Sequence, residues 1–255
     1  MGYNIYIPSL GRWEKSLTAD LLLSQNIPFK LVVEDKEYSQ YVNKFGEDRV
    51  LKLPGSGYGG VAFARNFIKD YSIKQGELKH WQIDDDVKSI YQHQGGKPIN
   101  TSVDYVLTNC EKFSDLFKNV GLSGLSSNVF VKFQTKPFTV NSLVYTVKLI
   151  NNSFDIHWDG TVVEDIDYTL QVLNMGLCTL RFNAFAFSWQ GAGLQDGGWS
   201  DIYRTTGYKD HIEATQKKWG LGKITKKQKN GIDHYVVEYS SKLREYKQTL
   251  ITNEP

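Results

Sequence analysis

Lys79-His80-Trp81-Gln82-Ile83-Asp84-Asp85-Asp86 joins a short apolar run to three consecutive carboxylates. Trp81 to Ile83 reads as a buried strand, and the acids stand at its carboxyl end. Like charges packed together raise one another's energy unless a cation or a charged ligand neutralises them, and a hard divalent ion with phosphate oxygens is the usual answer. An exposed acidic turn is the plain alternative, because charge runs are commonly solvated. The residues on either side decide between the two.

Upstream, short apolar runs alternate with helical patterns, the mark of βα units and a largely parallel sheet. Asn4 to Pro8 reads as the first strand, stopped by Pro8 and Gly11. Leu17, Leu21 and Leu22 repeat at helical spacing up to Asn26-Ile27-Pro28, and Phe29 to Val33 reads as the second strand. A third strand is expected at Arg49 to Leu53. Val61, Ala64, Phe67, Ile68 and Tyr71 then share one side of a helix, and the acidic strand follows it. Ligands of open α/β sheets bind beyond the carboxyl ends of the strands, where Asp84 to Asp86 fall. That position argues against an inert turn.

Downstream, Val129 to Phe133 and Ser142 to Val147 read as longer, antiparallel strands, which makes the sheet mixed. A last clear helix is expected from Val163 to Leu173, with Ile166, Leu170 and Leu173 on one face and Gly176 as its stop. Beyond Phe187 the chain is rich in Gly and aromatic residues, as in Gln190-Gly191-Ala192-Gly193 and Asp196-Gly197-Gly198-Trp199. There are no internal repeats and no low-complexity segments. The expectation is an α/β fold with a mixed, mainly parallel central sheet flanked by helices. Residues 1–205 would form that domain, and 206–255 a short Lys-rich extension packed on it.

A chain of 255 residues, 40% of them hydrophobic, can bury a full core. No stretch approaches the roughly 18 apolar residues that span a bilayer. The start Met1-Gly2-Tyr3-Asn4-Ile5-Tyr6 lacks a signal peptide's pattern, and Tyr6 stands where myristoylation requires Ser or Thr. A cytoplasmic location is expected, host cytoplasm if the chain is phage-encoded. Cys110 and Cys178 form neither a zinc spacing nor a disulfide framework and read as buried thiols. The net charge of +2 does not by itself imply nucleic-acid binding. Lys217, Lys218, Lys223, Lys226, Lys227 and Lys229 nevertheless cluster near the C-terminus.

Four constellations are candidates for chemistry. Gly55-Ser56-Gly57-Tyr58-Gly59-Gly60 satisfies the dinucleotide fingerprint, but it follows the third strand and Pro54 precedes it, so a flexible loop before a helix fits better. Arg65 and Asn66 lie in the early turns of that helix, where a guanidinium can grip a phosphate or a carboxylate in a planar, two-pronged contact. Glu164 and Asp165 open the last clear helix, whose dipole favours ionised carboxylates able to accept a proton. Thr161-Val162-Val163-Glu164 also matches a capping box, which would occupy Glu164 and leave Asp165 free. The histidines at 80, 93, 157, 211 and 234 build no zinc spacing, and among them His211 is the candidate to return to a metal as an extra ligand.

Ile7-Pro8-Ser9-Leu10-Gly11-Arg12 after strand one, Ala64-Arg65-Asn66, Asp84-Asp85-Asp86, and Glu164-Asp165-Ile166-Asp167-Tyr168 with Leu170 and Gly176 occur in that order. Together they resemble the GT-A class of nucleotide-sugar glycosyltransferases over residues 3 to 200. Within that class the chain looks most like the compact phage group associated with hypermodified DNA bases, the TET/JBP-associated glycosyltransferases. The resemblance implies a nucleotide diphosphate sugar, a UDP-sugar foremost, bound across the first half of the sheet. Pro8, Ser9 and Arg12 would lie near the nucleotide, Glu34 or Asp35 near the base, and Arg65 and Asp85 beside the donor. Asp86 would bind Mn²⁺ or Mg²⁺ and Asp84 would contact ribose or sugar, with Asp84 as the alternative ligand because the register of the acidic run is open. Asp165, with Glu164 beside it, would act as general base for an inverting displacement, retention being the other stereochemical course.

The acceptor implied is a hydroxymethylated pyrimidine in DNA, to which the lysine cluster and Trp199, Tyr203, Tyr208 and Trp219 could dock by charge and stacking. A solvated basic tail with aromatics in a small secondary core explains the same residues, so a glycan or small-molecule acceptor is the alternative. From another class, paired aspartates with Mg²⁺ also describe a nucleotidyltransferase, although no phosphate-cradling Gly-Lys motif is present. A nucleic-acid-binding protein without catalysis would tolerate Asp86→Asn and Asp165→Asn.

Overall fold

The computed structural model describes residues 2–55, 60–190, 197–198, 204–206, 208–229 and 232–253. Strands β1 (Ile5–Pro8), β2 (Lys30–Val33), β3 (Val50–Lys52) and β4 (Lys79–Ile83) lie parallel in the order β3-β2-β1-β4. Helices α1 (Leu17–Ser24), α2 (Tyr38–Phe45) and α3 (Gly60–Lys74) connect them. Strand alternation sends successive side chains to opposite faces. Ile5, Ile7, Leu31 and Val33 therefore pack with Ala19 and Leu22 of α1 and Tyr41 and Phe45 of α2. Tyr6 and Val32 point the other way and pack under Ala64 and Ile68 of α3. With both faces covered, these strands read as continuous apolar runs.

Past β4 the sheet becomes mixed. β9 (Val147–Asn151) runs antiparallel to both β4 and β7 (Val120–Ser127), and β10 (Cys178–Trp189) runs parallel to β7. β5 (Val87–Gln94) and β6 (Lys97–Ile99) complete the far edge, in the order β3-β2-β1-β4-β9-β7-β10-β5-β6. β10 changes register between Phe182 and Ala186, so its first part pairs with β8 (Phe138–Val140) and its second with β5. Gly124 of β7 permits the close approach of β9, since a Cβ there would stand 2.2 Å from the Val147 carbonyl oxygen. α4 (Val103–Ser114) joins the α1 face through Val106, Leu107 and Cys110. α5 (Glu164–Asn174) joins the α3 face through Tyr168 and Val172, and Gly176 at φ 77° closes it.

Two expected strands are corrected. The run Val129 to Phe133 is a turn with a 3-10 helix at Val131–Phe133, because only Val131 finds the core while Val129, Phe130 and Phe133 face solvent. Ser142 to Thr146 is irregular, and the strand begins at Val147.

After β10 the chain forms α6 (Lys209–Trp219), a hairpin of β11 (Ile224–Lys229) and β12 (Ile232–Val237), and the short α7 (Ser240–Leu243). Tyr208, Ile212, Leu221 and Val237 pack on Ile166 and Leu170 of α5. The last residues return as a strap, with Gln248 Nε2 donating to the Leu173 carbonyl at 2.7 Å and Asn119 Nδ2 to that of Thr249 at 2.9 Å. Among the described residues no helix is long and apolar enough to cross a membrane. Both cysteines are buried and free.

Candidate active site

A cleft of about 270 Å³ opens at the carboxyl ends of β1, β2 and β4, beneath the starts of α3 and α5. Pro8, Ser9 and Arg12 after β1 and Glu34 after β2 line it. Asp84 to Asp86 enter it from the turn between β4 and β5. Gly60, Val61 and Arg65 come from α3, and Glu164 and Asp165 from the first turn of α5. The structure thus gathers most of the residues singled out from the sequence.

The three aspartates have three different neighbours. Asp85 accepts from Ser9 Oγ at 2.6 Å and forms an ion pair with Arg12. Tyr41 reinforces that corner, its hydroxyl 2.7 Å from Ser9 Oγ and accepting from the Arg12 backbone N–H at 3.1 Å. Asp85 is therefore a fastener between the β1 loop and β4. Asp84 accepts from Arg65 Nη2 at 2.8 Å, while the Thr18 hydroxyl donates to its backbone carbonyl. Burial works against its charge, but Arg65 and Lys148 outweigh burial and hold the Asp84 carboxyl below the usual range.

Asp86 is buried and lines the cleft, yet no cation among the described residues pairs with it. Burial first, and then the charges of Asp84 and Asp85, push its carboxyl up to about 7. A carboxyl in this state gains from a cation brought in with a ligand. Among the described residues no group of three or more His, Cys, Asp or Glu side chains is arranged to hold a metal. The reason is visible in the pairing, since Asp84 and Asp85 are already engaged by arginines.

Two buried cations organise the remaining acids. Arg65, 1% exposed, stands 3.8 Å from Glu164 as well as beside Asp84, and burial is outweighed by Asp84, Asp165 and Glu164 so that it stays charged. Its Nε and Nη1 are buried and have no hydrogen-bond partner among the described residues. Lys148 of β9, also 1% exposed, donates to Asp165 Oδ1 at 2.5 Å. Tyr208 Oη donates to Glu164 Oε2 at 2.9 Å, and burial together with the Asp165 charge raises the Glu164 carboxyl. The capping box does not form: the Thr161 amide donates to Asp159 Oδ1 at 2.9 Å, and Glu164 faces the cleft.

Two expected residues stand elsewhere. Asp35 is exposed and pairs with Lys52 at 3.1 Å, so of the two acids after β2 only Glu34 reaches the cleft. His211 lies on α6 with its ring stacked on Tyr208 at 4.4 Å, and it is Tyr208 that lines the cleft. The structure does not bring His211 to the acidic triplet. Within the glycine-rich segment, residues 56–59 lie outside the described residues, as do Trp199 and Tyr203. Trp219 donates from Nε1 to Asp167 Oδ1 at 2.8 Å, a packing role beside α5.

Lys148 was not singled out by sequence reasoning, and Tyr208 was named there only as an aromatic that could stack on the acceptor, not as the partner of Glu164. A lysine inside Val147-Lys148-Leu149-Ile150 is a signal, because an ammonium in an apolar strand needs a partner. The bond from Tyr208 to Glu164 has no comparable signal, because the two residues lie 44 apart in the chain.

Residues 3–197 match the family described as TET-Associated Glycosyltransferase. The chain belongs to that family. The matched part of this glycosyltransferase runs from β1 through β10 and contains the acidic triplet, Arg65, Glu164 and Asp165, whereas α6 and the β11–β12 hairpin follow it. Among solved structures, the inositol-1-phosphate CTP transferase from T. maritima is 11% identical, covering 74% of this chain and 89% of its own, with a TM-score of 0.43. A mannose-1-phosphate geranyltransferase from Thermus thermophilus is 14% identical, covering 72% of this chain and 58% of its own, with a TM-score of 0.36. No curated protein matches the glycosyltransferase in sequence.

Proposed function

We propose that this glycosyltransferase takes its sugar from a nucleoside diphosphate sugar, a UDP-sugar foremost, and transfers it with inversion to the hydroxyl of a hydroxymethylated pyrimidine in phage DNA. The observation that carries the reading is the cleft itself. Arg65, the buried acid Asp86 and the first-turn carboxylates of α5 share one space of about 270 Å³ at the carboxyl ends of parallel strands. Such a space suits a ligand that is both anionic and polyhydroxylated.

The base would lie near Glu34 and the diphosphate near the amino end of α3, where the helix dipole favours anions. Asp86 would hold Mn²⁺ or Mg²⁺, and Asp84, fixed by Arg65, would meet ribose or sugar. An ion there supplies a Lewis acid that offsets charge on the departing diphosphate.

Lys148 holds Oδ1 of Asp165 and leaves Oδ2 to take the acceptor's proton. The acceptor oxygen bonds to the anomeric carbon while that carbon's bond to the diphosphate oxygen breaks through an oxocarbenium-like state, and the nucleoside diphosphate leaves with the electron pair.

Exposed Lys217, Lys223 and Lys227 on the C-terminal extension support a polyanionic acceptor, although Lys218 is neutralised by Asp167 at 2.7 Å and Lys226 by Asp233 at 2.7 Å. Thermal-shift titration with nucleoside diphosphates, with and without Mn²⁺, tests the donor site. Stabilisation by one diphosphate that requires Mn²⁺ and disappears in Asp86→Asn is expected, and Asp165→Asn should keep that stabilisation while losing transfer. Absence of stabilisation by any diphosphate with any divalent ion refutes the reading.

A further inference from the structure

The most exposed large apolar side chain among the described residues is Phe133, 80% exposed, on the turn between β7 and β8. Val129 and Phe130 of the same turn are also exposed, at 56% and 41%. The turn is braced. Val131 is buried with Tyr91 and Ala186, the Asn128 amide donates to the Phe187 carbonyl at 2.8 Å, and the Phe133 amide donates to that of Phe130 at 3.1 Å. It also adjoins the cleft, because the Phe130 ring meets Tyr145 edge-on at 6.4 Å and Tyr145 lines the cleft wall.

Along the sequence the charge of this turn is one-sided. Lys132 and Lys136 flank Phe133 and are exposed, and the sequence contains no Asp or Glu from residue 116 through residue 154. An aromatic face beside lysines that form no ion pair among the described residues complements a single nucleic-acid strand, which offers stacking bases and phosphates together. A protein partner fits less well, since the centres of protein interfaces are depleted in lysine.

We infer that the β7–β8 turn is the acceptor-strand dock, with Phe133 stacking on a base next to the modified one and Lys132 and Lys136 holding the backbone. The inference rests on DNA being the acceptor. It places the principal contact on the sheet's own rim, where the lysines lack acid partners in the surrounding sequence, and not on the partly neutralised C-terminal cluster.

The test uses the full chain and a fluorescein-labelled single-stranded oligodeoxynucleotide carrying one 5-hydroxymethylpyrimidine, read by anisotropy. Sugar-nucleotide hydrolysis, in a cleft that Lys132, Phe133 and Lys136 do not line, serves as the control. Phe133→Ala should weaken oligonucleotide binding about 5- to 150-fold, with Phe133→Trp close to wild type and hydrolysis unchanged in both. Reversing both charges in Lys132→Glu/Lys136→Glu should flatten the salt dependence of binding. If wild type and all these variants bind the oligonucleotide equally, the dock lies elsewhere and the inference falls while DNA stands as acceptor. If wild type hydrolyses a sugar nucleotide but neither binds nor glycosylates the oligonucleotide, the DNA reading falls and takes the dock with it.

Discussion

Replacing Lys148 by Met removes an ammonium that is 1% exposed and leaves Asp165, its side chain 19% exposed, without its cation. Breaking one side of a buried ion pair costs about 3–5 kcal/mol, most of it the price of the orphaned charge. In a chain of this size each kcal/mol shifts the melting temperature by roughly 2–4 °C, so Lys148→Met should melt about 6–20 °C below wild type. Asp165→Asn strands the ammonium instead and should cost a similar amount. The double variant leaves neither charge. Its loss should therefore fall short of the sum of the two single losses by the coupling of a contacting pair, about 0.5–3 kcal/mol. Calorimetry on the four proteins, free of metal and nucleotide, measures the cycle. If the two losses simply add, Lys148 and Asp165 do not form the pair described and the assignment of Lys148 as the group that orients the base is wrong.

Two further outcomes follow from buried positions away from the acids. His80 is fully buried between Ser72 and Gln82, and burial, with Lys69 nearby, pushes its pKa down to about 3. The folded value lies below the unfolded value of about 6.5, so the associated stability is complete above pH 6.5 and is lost as pH falls toward 3, by about 3 kcal/mol at pH 4.5. His80→Gln should flatten this acid limb in urea titrations across pH, and an unchanged slope would count against a neutral buried imidazole. At Gly124 an added Cβ would meet Val147 O at 2.2 Å and Val144 Cγ1 at 2.5 Å, so Gly124→Ala should lower stability by about 1–3 kcal/mol, read as a fall in urea midpoint. A midpoint equal to wild type would mean that β9 yields without cost.

The first half of the fold is legible because its signals are local. Ile5–Pro8, Lys30–Val33 and Lys79–Ile83 are apolar runs between turn residues, and Gly60–Lys74 and Glu164–Asn174 carry helical spacing. α4 is not among the expected helices although its signals are equally local, with Ser102 capping Tyr105 N at 3.2 Å and Val103, Val106, Leu107 and Cys110 on one buried face. The run Val129 to Phe133 misleads for the converse reason: apolar composition imitates a strand when the residues serve a surface.

From sequence alone came the parallel βα succession, the acids at the carboxyl end of a strand and the resemblance that the family match confirms. Those properties depend on residues near one another in the chain. Which acid is open to a ligand depends on partners far away. Arg12 reaches Asp85 from 73 residues upstream, Arg65 reaches Asp84 from the opposite face of the sheet, and β9, inserted antiparallel beside β4, carries Lys148 to Asp165. Three adjacent aspartates identical in sequence thus become a fastener, an arginine-bound carboxylate and a buried acid with no cation beside it among the described residues. Only the tertiary structure decides that division, because electrostatic pairing is set by distance in space and by burial, neither of which the order of residues contains.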